Sequence, residues 1–296
     1  MKMMIKKRIF AMILSVCLLM CCTTVSADTD KPIEAKQLES AKNAVTVAVE
    51  DLPVNVRNLL PEGKTDHSVY LTTTEMSNGV YEDAELYTLR TENPTTGEGT
   101  LTVHSAPIKY VDETGEMRFI DTALQPIQGT RSEYSYRNTA NSFTVEYGTT
   151  IATGINFDDA FTFAVKGDAA EKNVQAVRKT ATDKVLYADA FGAETAVEYI
   201  NIENGIKENI ILNKYTGQTK FDFVFRSETY IPILSEDGMF IWIADKNNPK
   251  EPKYRFLSLY AYDSYDPAVH GVHKGSNFRH MNEELYYELA KNADGS

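Results

Sequence analysis

Three of the five histidines lie within eleven residues near the C-terminal end of the chain, and they have the spacing that most suggests a metal site. His270 and His273 are separated by two residues, His280 follows, and two glutamates come soon after. Imidazole nitrogens and carboxylate oxygens are common metal ligands. Two glycines in the same stretch favour a loop over a rigid helix face, so we predict a solvated loop and assign no metal to it.

Acidic residues offer a second kind of chemistry, because carboxylates hold calcium or act in pairs on glycosidic bonds. The clusters are Asp112-Glu113, Asp158-Asp159 and Asp263 with Asp266. None has the spacing of a calcium loop, and turn formation explains them more simply. With 42 acidic residues in the chain, no catalytic pair can be selected from sequence alone.

The sequence lacks the common catalytic frameworks. It contains no Gly-x-Ser-x-Gly, no His-Glu-x-x-His, no phosphate-binding loop and no Gly-x-Gly-x-x-Gly. We therefore expect a protein without catalytic activity and without a cofactor.

Aromatic residues suggest carbohydrate binding, because flat rings stack on sugars. The chain has 17 tyrosines, and Tyr260 and Tyr262 lie on a polar segment where their rings could form a ligand platform. The single tryptophan, Trp242, shares a strand face with Phe240 in an apolar stretch, which favours a place in the core.

The first 27 residues have the layout of an export signal. Three lysines and one arginine, with no acidic residue, precede an apolar run over residues 9–22. That run is too short for a membrane-spanning helix, and Val25-Ser26-Ala27 provides the small residues that a signal peptidase recognises. We predict cleavage between Ala27 and Asp28, a secreted or cell-wall-associated product, and membrane contact through the signal peptide alone.

Lipidation at Cys21 is the alternative for this leader. Residues 18–21 resemble a lipidation box, but Met20 is larger than the residue that normally precedes the modified cysteine, which favours plain cleavage. All three cysteines lie in the leader, so the mature chain has no disulfide and no thiolate nucleophile.

Cleavage also changes the charge. The full chain has 30 basic and 42 acidic residues, and loss of four basic residues leaves 26 against 42, a net charge of −16. A surface with this excess repels phosphate backbones, so nucleic acid is not an expected partner.

Residues 28–84 are predicted to be a spacer or a short helical segment. Leu38, Ala41, Val45 and Val49 recur at helical spacing, which is typical of an amphipathic helix. A partly disordered spacer explains the same residues, because two prolines interrupt the stretch after this pattern.

From residue 85 to residue 296, period-two alternation predicts an all-β domain, an antiparallel β-sandwich. The Asn204-Gly205 pair predicts a hairpin whose two central residues have positive φ. The predicted strands are 100–104, 108–111, 117–120, 142–147, 160–165, 174–177, 185–187, 196–202, 206–212, 221–226 and 239–243.

The end of the chain predicts an incomplete domain. Residues 285–289 could form a strand, and a turn sequence with no strand after it comes next. We expect an exposed apolar edge carrying Leu285, Tyr286, Tyr287 and Leu289, and hence a chain that is a fragment of a longer protein.

Several short segments, taken in order, carry a family resemblance. They are residues 89–93 (LRTEN), 106–110 (APIKY) leading to 112–115 (DETG) and 120–121 (ID), 136–143 (YRNTANSF), and 206–208 (IKE) before 210–212 (IIL). Together they resemble the N-terminal β-rich region of secreted bacterial wall-associated proteins with Rhs/YD repeats, over about residues 85–262.

The resemblance implies a very large exported protein in which a repeat shell encloses a C-terminal toxin. Tyr262-Asp263 and Tyr265-Asp266 are Tyr-Asp pairs, but the Gly-Arg-containing repeat of the family is missing, and no catalytic residue carries over. We therefore expect a non-catalytic module for surface association, presentation or packaging, with cell-wall polysaccharide or the remainder of its own longer chain as partner. The alternative is a carbohydrate-active β-sandwich, either a polysaccharide-binding module or an unrecognised glycosidase.

Overall fold

The structure is a computed structural model. It describes residues 2–4, 12–19, 45–60, 68–71, 83–93, 95–97, 99–129, 133–166, 177–263 and 285–292. Contacts divide the chain into two units. The large unit comprises Met1–Cys22, Leu124–Arg137 and Phe143–Ser296, and the small unit comprises Thr23–Ala123 and Asn138–Ser142.

Nearly all regular elements are strands, as predicted for an all-β protein, and the antiparallel sheets confirm that fold class. The helical elements are a 3-10 turn (Val49–Asp51), α1 (Val54–Arg57) and α2 (Asp83–Leu86). The strands are β1 (Lys2–Met4), β2 (Met12–Leu19), β3 (Val45–Val47), β4 (Ser68–Leu71), β5 (Thr88–Glu92), β6 (Gly99–Val103), β7 (Lys109–Val111), β8 (Met117–Phe119), β9 (Gln125–Pro126), β10 (Tyr134–Arg137), β11 (Val145–Gly148), β12 (Ile155–Phe157), β13 (Phe161–Lys166), β14 (Val177–Ala181), β15 (Lys184–Tyr187), β16 (Thr195–Ile202), β17 (Gly205–Leu212), β18 (Lys220–Arg226), β19 (Tyr230–Leu234), β20 (Ile241–Asp245), β21 (Pro252–Phe256), β22 (Tyr260–Asp263) and β23 (Tyr286–Glu288).

The large unit contains two antiparallel sheets around one hydrophobic core. The first has the order β23-β1-β18-β13-β12-β11-β10-β9. The second has the order β14-β15-β16-β17-β2-β21-β20-β19, and β22 also pairs with β2. Inward-facing side chains of both sheets belong to one buried cluster, which makes this unit a β-sandwich.

Alternation along β18 shows why these residues form a two-layer structure. Phe221, Phe223 and Phe225 are buried in the core. Phe223 stacks on Phe163 of the paired strand β13, with ring centroids 4.6 Å apart. Cross-strand aromatic pairs of this kind stabilise a sheet and fix its register.

The small unit contains a sheet of order β3-β4-β5-β6 and the hairpin β7-β8. Its core includes Val56, Val69, Leu89 and Ile108. The predicted turn at residues 112–115 closes the hairpin, and Gly115 has φ of 84° there.

This division differs from the predicted domain start at residue 85. Strands β4 and β5 lie on either side of that residue and pair with each other, so they belong to one sheet. Val45 lies on β3 rather than on a helix, because the segment adds to the edge of that sheet. Leu38 and Ala41 fall outside the described residues.

The predicted turn geometry occurs at a different hairpin. Ile202 pairs with Gly205, so Glu203 and Asn204 form the loop, and neither of these two has a positive φ. Asp158 and Asp159, between β12 and β13, have φ of 56° and 48° instead. The hairpin predicted at Asn204-Gly205 is confirmed, since β16 pairs with β17, but the predicted positive φ at both central residues is wrong because the register places the glycine in β17.

The prediction for residues 285–289 is half right: β23 is the end strand of the first sheet, as expected of an edge, but its apolar side chains are not exposed. Leu285 and Tyr287 are buried, and Tyr286 and Leu289 are half-buried. The Tyr287 hydroxyl donates to the Leu257 carbonyl at 2.8 Å, which ties the segment to the sandwich.

Candidate functional site

A groove of about 1070 Å³ lies in the large unit, between residues of β12, β13 and β18 in the first sheet and of β19, β20 and β21 in the second. Its lining includes the buried rings of Phe161, Phe225 and Phe256. The polar residues of the lining are Asn156, Asp159, Thr162, Arg226, Ser227, Glu228, Thr229 and Lys291. Ligand sites commonly combine aromatic rings with polar groups.

The turn beside this groove has an uncommon backbone. Asp158 and Asp159 both occupy the left-handed region, which is strained for side chains other than glycine. The Ala160 amide donates to the Phe157 carbonyl at 2.9 Å and closes the turn. Strain of this kind persists only where surrounding contacts hold it, and it is concentrated at functional sites.

Hydrogen bonds from neighbouring strands hold the turn. The Tyr254 hydroxyl donates to Oδ2 of Asp158 at 3.0 Å, and Nζ of Lys253 lies 3.7 Å from the same oxygen. Asn156 donates to Oδ1 of Asp159 at 2.7 Å. Burial, followed by the nearby carboxylate of Asp158, raises the pKa of Tyr254, so the phenol stays protonated and remains a donor.

Tyr230 provides an aromatic surface in the groove. Its ring packs edge-on against Tyr254 at 5.5 Å, and Nζ of Lys253 lies 6.0 Å from its centroid. The backbone amide of Tyr230 donates to Oγ of Ser227 at 2.9 Å, which fixes where the strand β19 begins. A half-buried ring beside a cation, an amide and carboxylates can stack on a sugar and bind its hydroxyl groups.

A second cluster lies inside the large unit and involves Glu208 on β17. Glu208 is 3% exposed and occupies the core face between Ile206 and Ile210, opposite Tyr199 of β16. Burial raises its pKa to about 8, and the neighbouring Tyr199 hydroxyl, as a hydrogen-bond partner, acts in the opposite direction. No described residue gives either carboxyl oxygen a hydrogen bond of good geometry.

Three buried tyrosine rings surround this part of the core. Tyr199 contacts both Tyr147 and Tyr187, with centroids 6.0 and 5.9 Å apart. The Tyr187 hydroxyl donates to the Gly148 carbonyl at 2.7 Å, whereas that of Tyr147 has no hydrogen-bond partner among the described residues. Burial raises the pKa of all three phenols.

The small unit contains a buried lysine. Lys109 on β7 is 1% exposed, and burial lowers its pKa to about 8. Its Nζ lies 3.9 Å from Oε2 of Glu85 and 5.9 Å from the Phe119 centroid. Arg90 pairs with Oε1 of the same carboxylate at 2.6 Å. The ammonium group therefore has a countercharge and an aromatic face.

The predicted platform lies away from this groove, on β22. Tyr260 is half-buried, and Nζ of Lys207 is 6.0 Å from its ring centroid. The strand places Tyr262 two residues further on, and its side chain is outside the described residues. Trp242 is half-buried on the outer face of β20, stacked on Phe240, with Arg255 over its ring at 5.2 Å, so it is not a core residue.

Other predicted site residues fall outside the described part of the chain. These are His270, His273, His280, Cys21, Ala27 and Asp28. Within the described ranges, no group of three or more His, Cys, Asp and Glu side chains could hold a metal ion. Within the same ranges, no helix has the length and apolar character needed to cross a membrane.

Sequence reasoning missed the groove and the two buried ionisable groups. Groove residues come from strands far apart in the chain, so no local pattern joins them. The sequence does indicate Glu208, because this acidic residue interrupts the inward-facing apolar positions Ile206, Ile210 and Leu212.

Comparison with known proteins gives no relative. The chain matches no protein-family model, no curated protein and no solved structure at a significant level.

Proposed function

We propose that this chain is a non-catalytic module of an exported bacterial cell-surface protein of the Rhs/YD-repeat type, acting in surface association, presentation or packaging. Three observations support the proposal: the leader-like N-terminus, the segments that resemble that family, and a fold of antiparallel sheets that suits a scaffold.

The location of two ionisable groups is the structural observation that carries the proposal. Glu208 and Lys109 have pKa values moved to about 8, in the range useful for general acid–base catalysis. Both side chains are buried in this structure, in which β2 lies beside the strand of Glu208. Burial on folding therefore explains their pKa shifts without any catalytic role.

Export is tested on the protein made in a Gram-positive host. Mass spectrometry of the cell-wall and culture fractions is expected to find a mature N-terminus at Asp28. A diacylglyceryl group on Cys21, or an intact Met1 in the cytosol, would contradict simple export.

Polysaccharide binding at the groove is the second candidate function, favoured by the half-buried Tyr230 ring among polar side chains. Changing Tyr230→Ala or Arg226→Ala should weaken binding to cell-wall polysaccharide about tenfold or more, since ring stacking and charged hydrogen bonds each contribute about 1–2 kcal/mol. The matched control is Tyr260→Ala with Tyr262→Ala, which tests the predicted platform on β22. Hydrolysis of a glycan that is lost in Asp159→Asn would overturn the non-catalytic proposal.

A further inference from the structure

Strand β6 is an end strand of the four-stranded sheet in the small unit. Among the described residues it pairs with β5 and with no other strand. Its threonines, Thr100 and Thr102, are half-buried, whereas the apolar side chains of Leu101 and Val103 are 52% and 71% exposed. A free strand edge that presents apolar side chains is a template for pairing with another strand.

The other end strands of the described sheets have features that oppose such pairing. Prolines occur in β9 and β19, at Pro126 and Pro232, and charged side chains occur on β14, β22 and β23. Strands β3, β7 and β8 have only three residues each. Prolines, charges and short edges are the usual protection against pairing between copies. Of the end strands described, β6 is the one without this protection, because its five residues include no charge and no proline.

The backbone of β6 determines which of its residues can pair with a further strand. The His104 amide donates to the Tyr87 carbonyl at 2.8 Å, so these two residues form a hydrogen-bonded pair. Such pairs alternate with non-hydrogen-bonded pairs along antiparallel strands, so every second residue of β6, counted from His104, directs its amide and carbonyl towards β5. The remaining residues, Gly99, Leu101 and Val103, direct theirs towards the free edge.

The order of these three residues fits a second copy of the same strand. In an antiparallel pair with its two-fold axis at Leu101, Leu101 faces its own equivalent and Gly99 faces Val103 of the other copy. All outward-directed amides and carbonyls of one strand then meet those of the other. The apolar side chains lie together on one face of the pair. Because β6 has no charge, the pair also places no like charges opposite each other, although the chain as a whole has a net charge of −12.

We propose that β6 is a self-association edge, at which two copies of this chain pair β6 with β6 antiparallel about Leu101 and join their small-unit sheets into one. The pairing adds a strand to each sheet and covers the exposed side chains of Leu101 and Val103. The contact is one strand wide, which is small for a stable dimer, so association is weak and concentration-dependent. The inference does not depend on the proposed function, because every strand of this sheet follows residue 27.

The first measurement is the association of the purified full chain, by sedimentation velocity between about 10 μM and about 1 mM, the range of a weak contact. We expect a reversible monomer–dimer equilibrium that strengthens with added salt, because salt screens the net negative charge. Amide exchange followed by NMR should give an alternating pattern. The amides of Leu101 and Val103 should gain protection as concentration rises, whereas those of Thr100 and Thr102, which face β5, should change little.

Charge substitution at the two-fold axis tests both the register and the identity of the partner. Leu101→Lys places two ammonium groups opposite each other and should weaken dimerisation at least about tenfold, and Leu101→Glu should do the same with two carboxylates. An equimolar mixture of the two variants should dimerise again, because opposite charges then face each other. The matched control is Val54→Lys on α1 of the same unit, which is 54% exposed and should leave the dimer unchanged.

A separate measurement shows that the variants fold. Leu101 is exposed, so each variant alone should unfold at the urea midpoint of the parent monomer. Loss of dimerisation in a variant with this midpoint then reports on the contact between copies and not on the fold of the small unit.

Three results would overturn the inference. One is a chain that stays monomeric over the whole concentration range. Another is a dimer that Leu101→Lys leaves intact, or that Val54→Lys weakens equally, since the contact would then lie elsewhere on the chain. The third is a mixture of the two Leu101 variants that stays monomeric, which would contradict pairing about this residue. Failure of export in the cell would refute the proposed function and would leave these measurements unaffected.

Discussion

Among the described residues, each unit buries one carboxyl or ammonium side chain, and the surroundings of the two groups differ. In the small unit, Lys109 has Glu85 at 3.9 Å and the Phe119 ring beneath it, although its Nζ makes no hydrogen bond with a described residue. In the large unit, Glu208 has no cation within salt-bridge distance among the described residues, and its carboxyl oxygens lack good hydrogen bonds. Burial is nearly complete in both cases.

The difference distinguishes a buried charge that has a countercharge from a buried acid that has none. A buried charge with a countercharge is a common structural solution, and its removal is close to neutral when both partners can be replaced. A lone buried acid stays neutral instead and leaves its polar atoms unsatisfied, which is rare in native cores. We interpret Lys109 as a buried member of an ion pair and Glu208 as a buried acid that stays neutral beside the Tyr199 hydroxyl.

The largest expected effect is a loss of stability with rising pH that is caused by Glu208. Between pH 4.5 and about 8, the folded chain holds a proton that the unfolded chain has released, so rising pH lowers the free energy of unfolding by up to about 1.4 kcal/mol per unit. Glu208→Gln should remove this slope. Urea unfolding followed by Trp242 fluorescence measures the large unit, and Lys109→Met is the control that keeps the slope in this window.

Lys109 should act with the opposite sign at higher pH. Between about 8 and 10.5 the unfolded chain binds a proton that the folded chain has lost, so the small unit gains stability as pH rises, by ~2 kcal/mol over the window. Lys109→Met should lack this gain. Methyl NMR of Val56 and Leu89 during urea titration follows the small unit, and a gain that persists in the variant would assign it to other groups.

Breaking the ion pair should cost less than these pH effects. Glu85→Gln leaves both Lys109 and Arg90 without their carboxylate and should destabilise the small unit by about 1–2 kcal/mol at pH 7. The control is Glu116→Gln, which removes an exposed pair with Arg118 and should change stability by less than about 0.5 kcal/mol. Equal effects in the two variants would mean that the buried pair is no stronger than the surface one.

The smallest expected effect compares two tyrosines of the same core. Tyr187→Phe loses the hydrogen bond to the Gly148 carbonyl and leaves that oxygen unpaired, which should cost about 1 kcal/mol. Tyr147→Phe removes a hydroxyl that has no partner among the described residues, so it should be neutral or slightly stabilising. Thermal unfolding of both variants at one pH tests the pair, and a larger loss for Tyr147→Phe would reveal an unrecognised partner.

Local patterns predicted the parts of the fold that depend on near neighbours. The alternating phenylalanines of β18 and the turn at residues 112–115 follow from period-two burial and from the freedom of glycine. The Asn204-Gly205 hairpin was placed correctly, but register moved its turn by one residue. Pairing of β4 with β5 could not be seen locally, so the unit boundary was missed.

The candidate site depends still more on distant residues. Tyr230 and Asp159 approach the groove from strands separated by about 70 residues, and no motif connects them. Glu208 was visible as an acid among inward-facing isoleucines. Its lack of a countercharge, however, is a property of the assembled core and not of any stretch of sequence.

The pairing of β2 with β17 also determines the order in which strand contacts form during synthesis. The partners Leu14 and Ile210 are about 200 residues apart, whereas the β16–β17 hairpin joins neighbours in the chain. Contacts between distant segments form late, because the intervening chain must first be made and its loop closed. During synthesis residues 12–19 therefore have no β17 to pair with at first, so under the proposed export they are free to bind the export machinery at that stage.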